Sequence, residues 1–160
     1  KMLGFSVKET LTAMTIISIG VPVGCFLNSL VSDMGGRKMP LAILGVLAAV
    51  TALIFGGMKG LVMLTLLGFT VTVFNMALNF TLFSYTAESY PTRMRNTATG
   101  FHNGLARLSV SASQPLIPMI HASFGFAGIF TSVAFLFFLP VIPLLIWGAR
   151  TGGKSLEDIE

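Results

Sequence analysis

Charge is what this sequence has least of. Only 10% of its 160 residues are Asp, Glu, Lys or Arg, against about 25% in a water-soluble domain. With 54% hydrophobic residues and a mean hydropathy of +0.85, so short a chain has no soluble core large enough to hide its apolar surface. A bilayer is its natural solvent. Cysteine is nearly absent: Cys25 stands alone, which excludes an internal disulfide framework and leaves a small packing residue inside an apolar run. The sequence also lacks a phosphate-cradling glycine loop ahead of a helix, a metal-spaced His or Cys set, and a nucleophile with a base at helical spacing. These absences argue against an enzyme, and neither metal nor cofactor is expected. Nucleic acid is not expected as a partner, despite the net charge of +4, because Lys and Arg stand singly or in pairs at the edges of apolar runs instead of forming a basic face. No basic region followed by a short apolar core and a small-residue cleavage site is visible, and Lys1 to Ser6 reads as a loop.

What is abundant is apolar sequence in long runs. Five segments are predicted to span as helices: 10–32, 40–57, 61–87, 97–121 and 126–148. The breaks between them are short and carry turn or charge signals, so neighbouring helices should run antiparallel. Pro22, Pro115, Pro118, Pro140 and Pro143 fall inside the runs, a load that membrane helices tolerate better than soluble ones. Gly20 and Gly24, and again Gly100 and Gly104, place small residues four apart and predict packing seams. Counting basic residues, the loops after the first, third and fifth segments hold Arg37, Lys38, Arg93, Arg95, Arg150 and Lys154, while the other side holds Lys1, Lys8 and Lys59. That asymmetry predicts a cytoplasmic C-terminus.

Polar residues inside such segments need a partner or water, and each is a functional candidate for that reason. Asn75 and Asn79 lie four apart near the middle of the third segment, hence on one helical face, either bonding a neighbouring helix or facing substrate. In the fourth segment Asn103, Arg107, Ser111 and Gln114 recur at intervals of four, four and three. Arg107 is about 15 Å into that helix, too deep to snorkel easily, so it must meet carbonyls, a carboxylate or an anionic substrate. Glu88 and Arg95 each sit at a helix end whose dipole opposes its charge, which pairing with each other or with Arg37 or Arg93 would relieve. Such pairs can act as a gate if they break when one face opens. No Asp or Glu lies mid-segment, so a proton-carrying carboxylate would have to lie elsewhere in the protein.

Several of these stretches resemble the major facilitator superfamily. Ser29-x-x-x-Asp33-x-x-Gly36-Arg37-Lys38 is similar to that family's loop between the second and third helices of each half, and Glu88-x-Tyr90-Pro91-Thr92-x-x-Arg95 resembles the element after its tenth helix in the sugar-porter and metabolite:proton symporter branches. Arg107-Leu108 with Pro115 resembles its eleventh-helix pattern, and Gly153 to Glu157 its sugar-porter tail. Ser29 and Met34 depart from the loop pattern, as do Ala106 and Ser109 around Arg107; Ala149-Arg150-Thr151 stands where sugar porters carry Pro-Glu-Thr, which favours the broader metabolite:proton symporters.

The resemblance implies an all-α membrane fold, a partial six-helix bundle equivalent to about helices eight to twelve of twelve. The N-terminal bundle would be a missing partner within the same protein. It implies secondary active transport of a small polar metabolite, an organic acid, sugar or polyol, coupled to protons and working by alternating access in the cell membrane. The alternatives are an uncoupled facilitator or a non-transporting receptor on the same scaffold. Asn75, Asn79, Asn103, Arg107 and Gln114 are the expected substrate-binding residues. Asp33, Arg37, Glu88 and Arg95 are the expected cytoplasmic charge network.

Overall fold

The computed structural model describes residues 6–31 and 37–148. Among them the chain is helical: α1 (Val7–Val31), α2 (Lys38–Gly57), α3 (Leu61–Ser89), α4 (Thr92–Ser113), α5 (Leu116–Phe138) and α6 (Val141–Trp147). Asp33 lies outside the described residues, as does the tail from residue 149 on.

Helix α1 begins at Val7 because Ser6 and Glu9 cap it reciprocally. Ser6 Oγ accepts from the Glu9 amide at 3.2 Å, and Glu9 Oε2 accepts from the Ser6 amide at 2.9 Å, so two otherwise orphaned donors are satisfied. Likewise α4 starts at Thr92, five residues before the sequence-based expectation. Pro91 sets the entry, its carbonyl accepting from Met94 and Arg95, and the polar run from Tyr90 to Asn96 is mostly the first turns of a helix.

The prolines explain where the later helices break. Pro118 and Pro143 lack the amide that would bond the carbonyl four residues earlier, and the ring crowds that carbonyl. Those carbonyls belong to Gln114 and Leu139, the residues that terminate α4 and α5. The expected segment over 97–121 is therefore interrupted at Gln114-Pro115, and the one over 126–148 at Leu139-Pro140. Within α5 Gly125 takes φ 67° and ψ −164°, a left-handed φ open to glycine. Ile120 Cγ2 lies 3.7 Å from where a Cβ on Gly128 would stand, whereas a straight helix would separate those residues by about 12 Å along its axis. The chain folds back at Gly125.

Packing orders the helices α1, α3, α2, α5 side by side. The middle of this layer is α2, which presents Gly45, Ala48, Ala49, Ala52 and Gly56 to its neighbours, all buried. Small side chains let backbones close up, the usual basis of helix association in lipid, where burial of apolar surface drives little. Ala49, Ala52 and Ala134 form the tightest cluster, with Val133 and Phe137 against it. Phe55, Phe126 and Phe130 clamp the C-terminal end of α2 to α5, ring centroids 4.4 to 5.9 Å apart. By length and composition four stretches are apolar enough to cross a membrane: Val7–Val31, Lys38–Gly57, Leu61–Ser89 and Leu116–Trp147, the last counted through the reversal at Gly125. The exception is α4, which carries a polar stripe and has no buried residue.

Candidate functional site

Two constellations lie on this frame, one along α3 and α4 and one where helix ends meet. On α3, the Asn79 side-chain amide donates to Asn75 Oδ1 at 3.0 Å and also approaches the Asn75 backbone carbonyl at 3.3 Å. The pair thus satisfies part of its own demand and keeps the Asn75 amide as a donor and Asn79 Oδ1 as an acceptor. Asn79 is exposed and Asn75 half-buried. On α4, Asn103 donates to the Thr99 carbonyl at 3.2 Å. Arg107, Ser111 and Gln114 are exposed, and Gln114 sits at the turn that ends the helix.

The register between α3 and α4 comes from one contact. Phe83 and His102 meet edge to face with ring centroids 5.8 Å apart, and the short Tyr90-Pro91 link makes the helices antiparallel. Four residues back on α3 is Asn79; five residues on along α4 is Arg107. At 1.5 Å per residue each backbone position lies about 6–8 Å from that contact, so Asn79 and Arg107 start from similar depths, with Arg107 about 140° around α4 from His102.

Where the helix ends meet, Arg37 Nε and Glu88 Oε1 are 2.9 Å apart, with the side chains 21% and 26% exposed. Arg37 precedes the first turn of α2 and Glu88 lies in the last turn of α3. Each charge is therefore at the wrong pole of its own helix, and the ion pair offsets both penalties. Beside it Lys38 Nζ donates to the Gly148 carbonyl at 3.1 Å, where α6 ends; that is a cation at the favourable pole. Among the described residues Arg95 does not join the pair: its Nε, like Ser89 Oγ, is buried with no hydrogen-bond partner there.

Exchanging the paired charges provides a test of this arrangement. Glu88→Arg alone should lower the thermal stability of the full-length protein by roughly 1 kcal/mol or more, because two guanidinium groups then face each other. The double variant Arg37→Glu with Glu88→Arg should recover it, since each charge now suits its helix pole. Additive losses in a double-mutant cycle would show that the two side chains are not coupled.

Three contacts escaped the sequence reading. Lys38 counted only as a loop charge there. Thr81, fully buried, bonds Asn28 Oδ1 at 2.7 Å and the Ala77 carbonyl at 2.8 Å. One hydroxyl proton serves one of these acceptors, and a flipped Asn28 amide satisfies both contacts at once. The third is the Ser6–Glu9 cap, whose S-x-x-E spacing was legible.

No protein-family profile matches the chain. Among curated proteins it is 28% identical over 153 residues to YyaJ of Bacillus subtilis, provisionally named a metabolite transport protein, covering 96% of this chain and 34% of that one. It is 26% identical over 157 residues to the niacin transporter NiaP of Acinetobacter baylyi, covering 98% of this chain and 36% of the relative. Similarity to the inner membrane metabolite transport protein YdjE of Escherichia coli is also 26% over 157 residues, covering 98% and 35%. The chain spans about a third of the length of the curated relatives it matches. With its four apolar spans, it is part of a multi-pass integral membrane protein.

Proposed function

We propose that this chain, a C-terminal segment of a major facilitator superfamily metabolite transporter, forms one wall of the path by which the whole protein carries a small organic acid across the membrane. The observation that carries the proposal is the similar depth of Asn79, bonded to Asn75 one turn away, and Arg107 on antiparallel α3 and α4. Arg107 is a full charge on the exposed polar stripe of α4, and within a membrane protein such a charge needs a counter-charge or water. A carboxylate substrate supplies one, and the neighbouring amides offer a donor and an acceptor for its remaining polar atoms. Niacin, the substrate named for one relative, is itself a carboxylic acid. Asn103 extends the same wall one turn from Arg107, and Gln114 would stand at its far end.

At the C-terminal end of α3, the Arg37–Glu88 pair serves as a closure that breaks when that face opens. Asp33 and Arg95 belong to this network in the proposal. The coupling ion is a proton, carried by a carboxylate outside this chain, and the face bearing Arg37 and the C-terminus is cytoplasmic. Transport by the full-length protein in vesicles tests the reading, using radiolabelled aromatic acids, aliphatic acids and hexoses with and without an imposed proton gradient. Saturable uptake of an acid, increased by the gradient, is expected. A folded protein that moves none of the panel would instead favour a receptor.

A further inference from the structure

We infer that the crevice between α2, α3 and α6 is a binding site for an anionic phospholipid, its headgroup phosphate held by Lys38 and one acyl chain entering the crevice. The cavity has a volume of about 170 Å³ and is walled by Leu41 and Gly45 of α2, Leu82 and Tyr85 of α3, and Pro140 and Leu144 at the α5–α6 break. An apolar cavity of about 150 Å³ takes up benzene, so this one admits a short length of hydrocarbon. Gly45 keeps it open: a Cβ there would stand 3.1 Å from Val141 Cγ2 and 3.8 Å from Leu78 Cδ1.

What selects the occupant is the chemistry at the mouth. On α2, Lys38, Leu41 and Gly45 follow at intervals of three and four, so the ammonium stands at the end of the face that lines the crevice. On α6, Leu144 lines the same space and Gly148, one turn on, accepts from Lys38 Nζ. That bond uses one of the three ammonium donors and leaves the others for a phosphate oxygen. Tyr85 lines the wall one turn before Glu88, and a tyrosine near a charged helix end suits the boundary between hydrocarbon and headgroup. From Lys38 to Gly45 the helix rises about 10 Å, so the cation lies at the membrane surface while the slot reaches into the hydrocarbon. A basic residue over an apolar gap between helices is the arrangement that recognises acidic lipid headgroups.

The test is native mass spectrometry of the detergent-solubilised full-length protein titrated with phosphatidylglycerol or with phosphatidylcholine of the same acyl chains. One phosphatidylglycerol should remain bound at concentrations where phosphatidylcholine does not. Lys38→Gln should weaken phosphatidylglycerol about fivefold, the factor equivalent to ~1 kcal/mol for one basic residue at an anionic surface, while Lys38→Arg retains it. Leu144→Trp, which fills the slot without touching charge, should weaken it as well, and millimolar inorganic phosphate should not displace the lipid. Equal retention of the two lipids, or an unaltered Lys38→Gln variant, would overturn the assignment. Full displacement by phosphate would reduce the site to an anion contact. An unaffected Leu144→Trp would mean that the chain's own α4, or a helix from the rest of the protein, fills the crevice.

Discussion

Arg107→Ala in the full-length protein is expected to lower uptake of a carboxylate substrate by at least about 30-fold while leaving a neutral amide analogue nearly unaffected. The size follows from the cost of removing one partner of a desolvated charge pair, about 2–5 kcal/mol. The selectivity follows from chemistry: an amide presents no charge for the guanidinium to neutralise, so it loses only hydrogen bonds. Arg107→Lys should retain part of the uptake, because it keeps a point charge but not the planar fork that meets two carboxylate oxygens together. Stability provides an independent readout. Arg107 is exposed among the described residues of α4, so if its counter-charge is the substrate, removing it should leave the melting temperature of the substrate-free protein unchanged or raise it. Loss of acid and amide uptake together, accompanied by a lower melting temperature, would make Arg107 a structural residue paired within the protein.

How much of this was legible in the sequence varies with the range of the interaction. Composition and run length alone specify an all-helical membrane protein, because hydrocarbon leaves a helix as the simplest way to satisfy its backbone. Helix termini were legible only where the local signal was applied. The Ser6-x-x-Glu9 spacing marks the start of α1 at Val7, three residues before the expected 10. Likewise Arg93 and Arg95 suggested a loop, although charged residues cost a helix nothing where water reaches its first turn. The proline breaks are local as well: each lies four residues before a proline, at the carbonyl that the missing amide leaves unbonded.

The helix-end contacts were only partly legible. Opposed helix dipoles mark Glu88 as needing a cation, but they do not choose among Arg37, Arg93 and Arg95. The choice of Arg37 depends on α2 lying against α3, so that the start of one and the end of the other share an edge. Lys38 with Gly148 and Asn28 with Thr81 join residues 110 and 53 positions apart, distances at which sequence spacing carries no register. On α4 the apolar side chains Phe101, Leu105 and Leu108 are uncovered, and nothing stands within 4 Å of a Cβ placed on Gly100 or Gly104.

The seam between α1 and α3 supplies the second large effect. Gly20, Gly24 and Asn28 follow at intervals of four along α1 and meet successive turns of α3. Gly20 lies against Phe69 and Thr72, Gly24 against Val73 and Met76, and Asn28 against Thr81. The numbers rise together, so the two helices are parallel. A Cβ on Gly24 would stand 2.5 Å from the Val73 carbonyl oxygen and 2.7 Å from Met76 Cβ. A backbone oxygen cannot rotate away, so even Gly24→Ala must push the helices apart. Overpacking of this kind costs about 1–3 kcal/mol, and separation also strains the Thr81–Asn28 bond, whose interhelical kind contributes about 0.6 kcal/mol in membrane proteins. At Gly20 the corresponding approach to the Phe69 carbonyl is 3.0 Å, so Gly20→Ala needs a smaller shift. Thermal unfolding of the full-length protein should therefore rank Gly24→Leu below Gly24→Ala and Gly24→Ala below Gly20→Ala. Equal melting temperatures for the three would place α1 elsewhere than on α3.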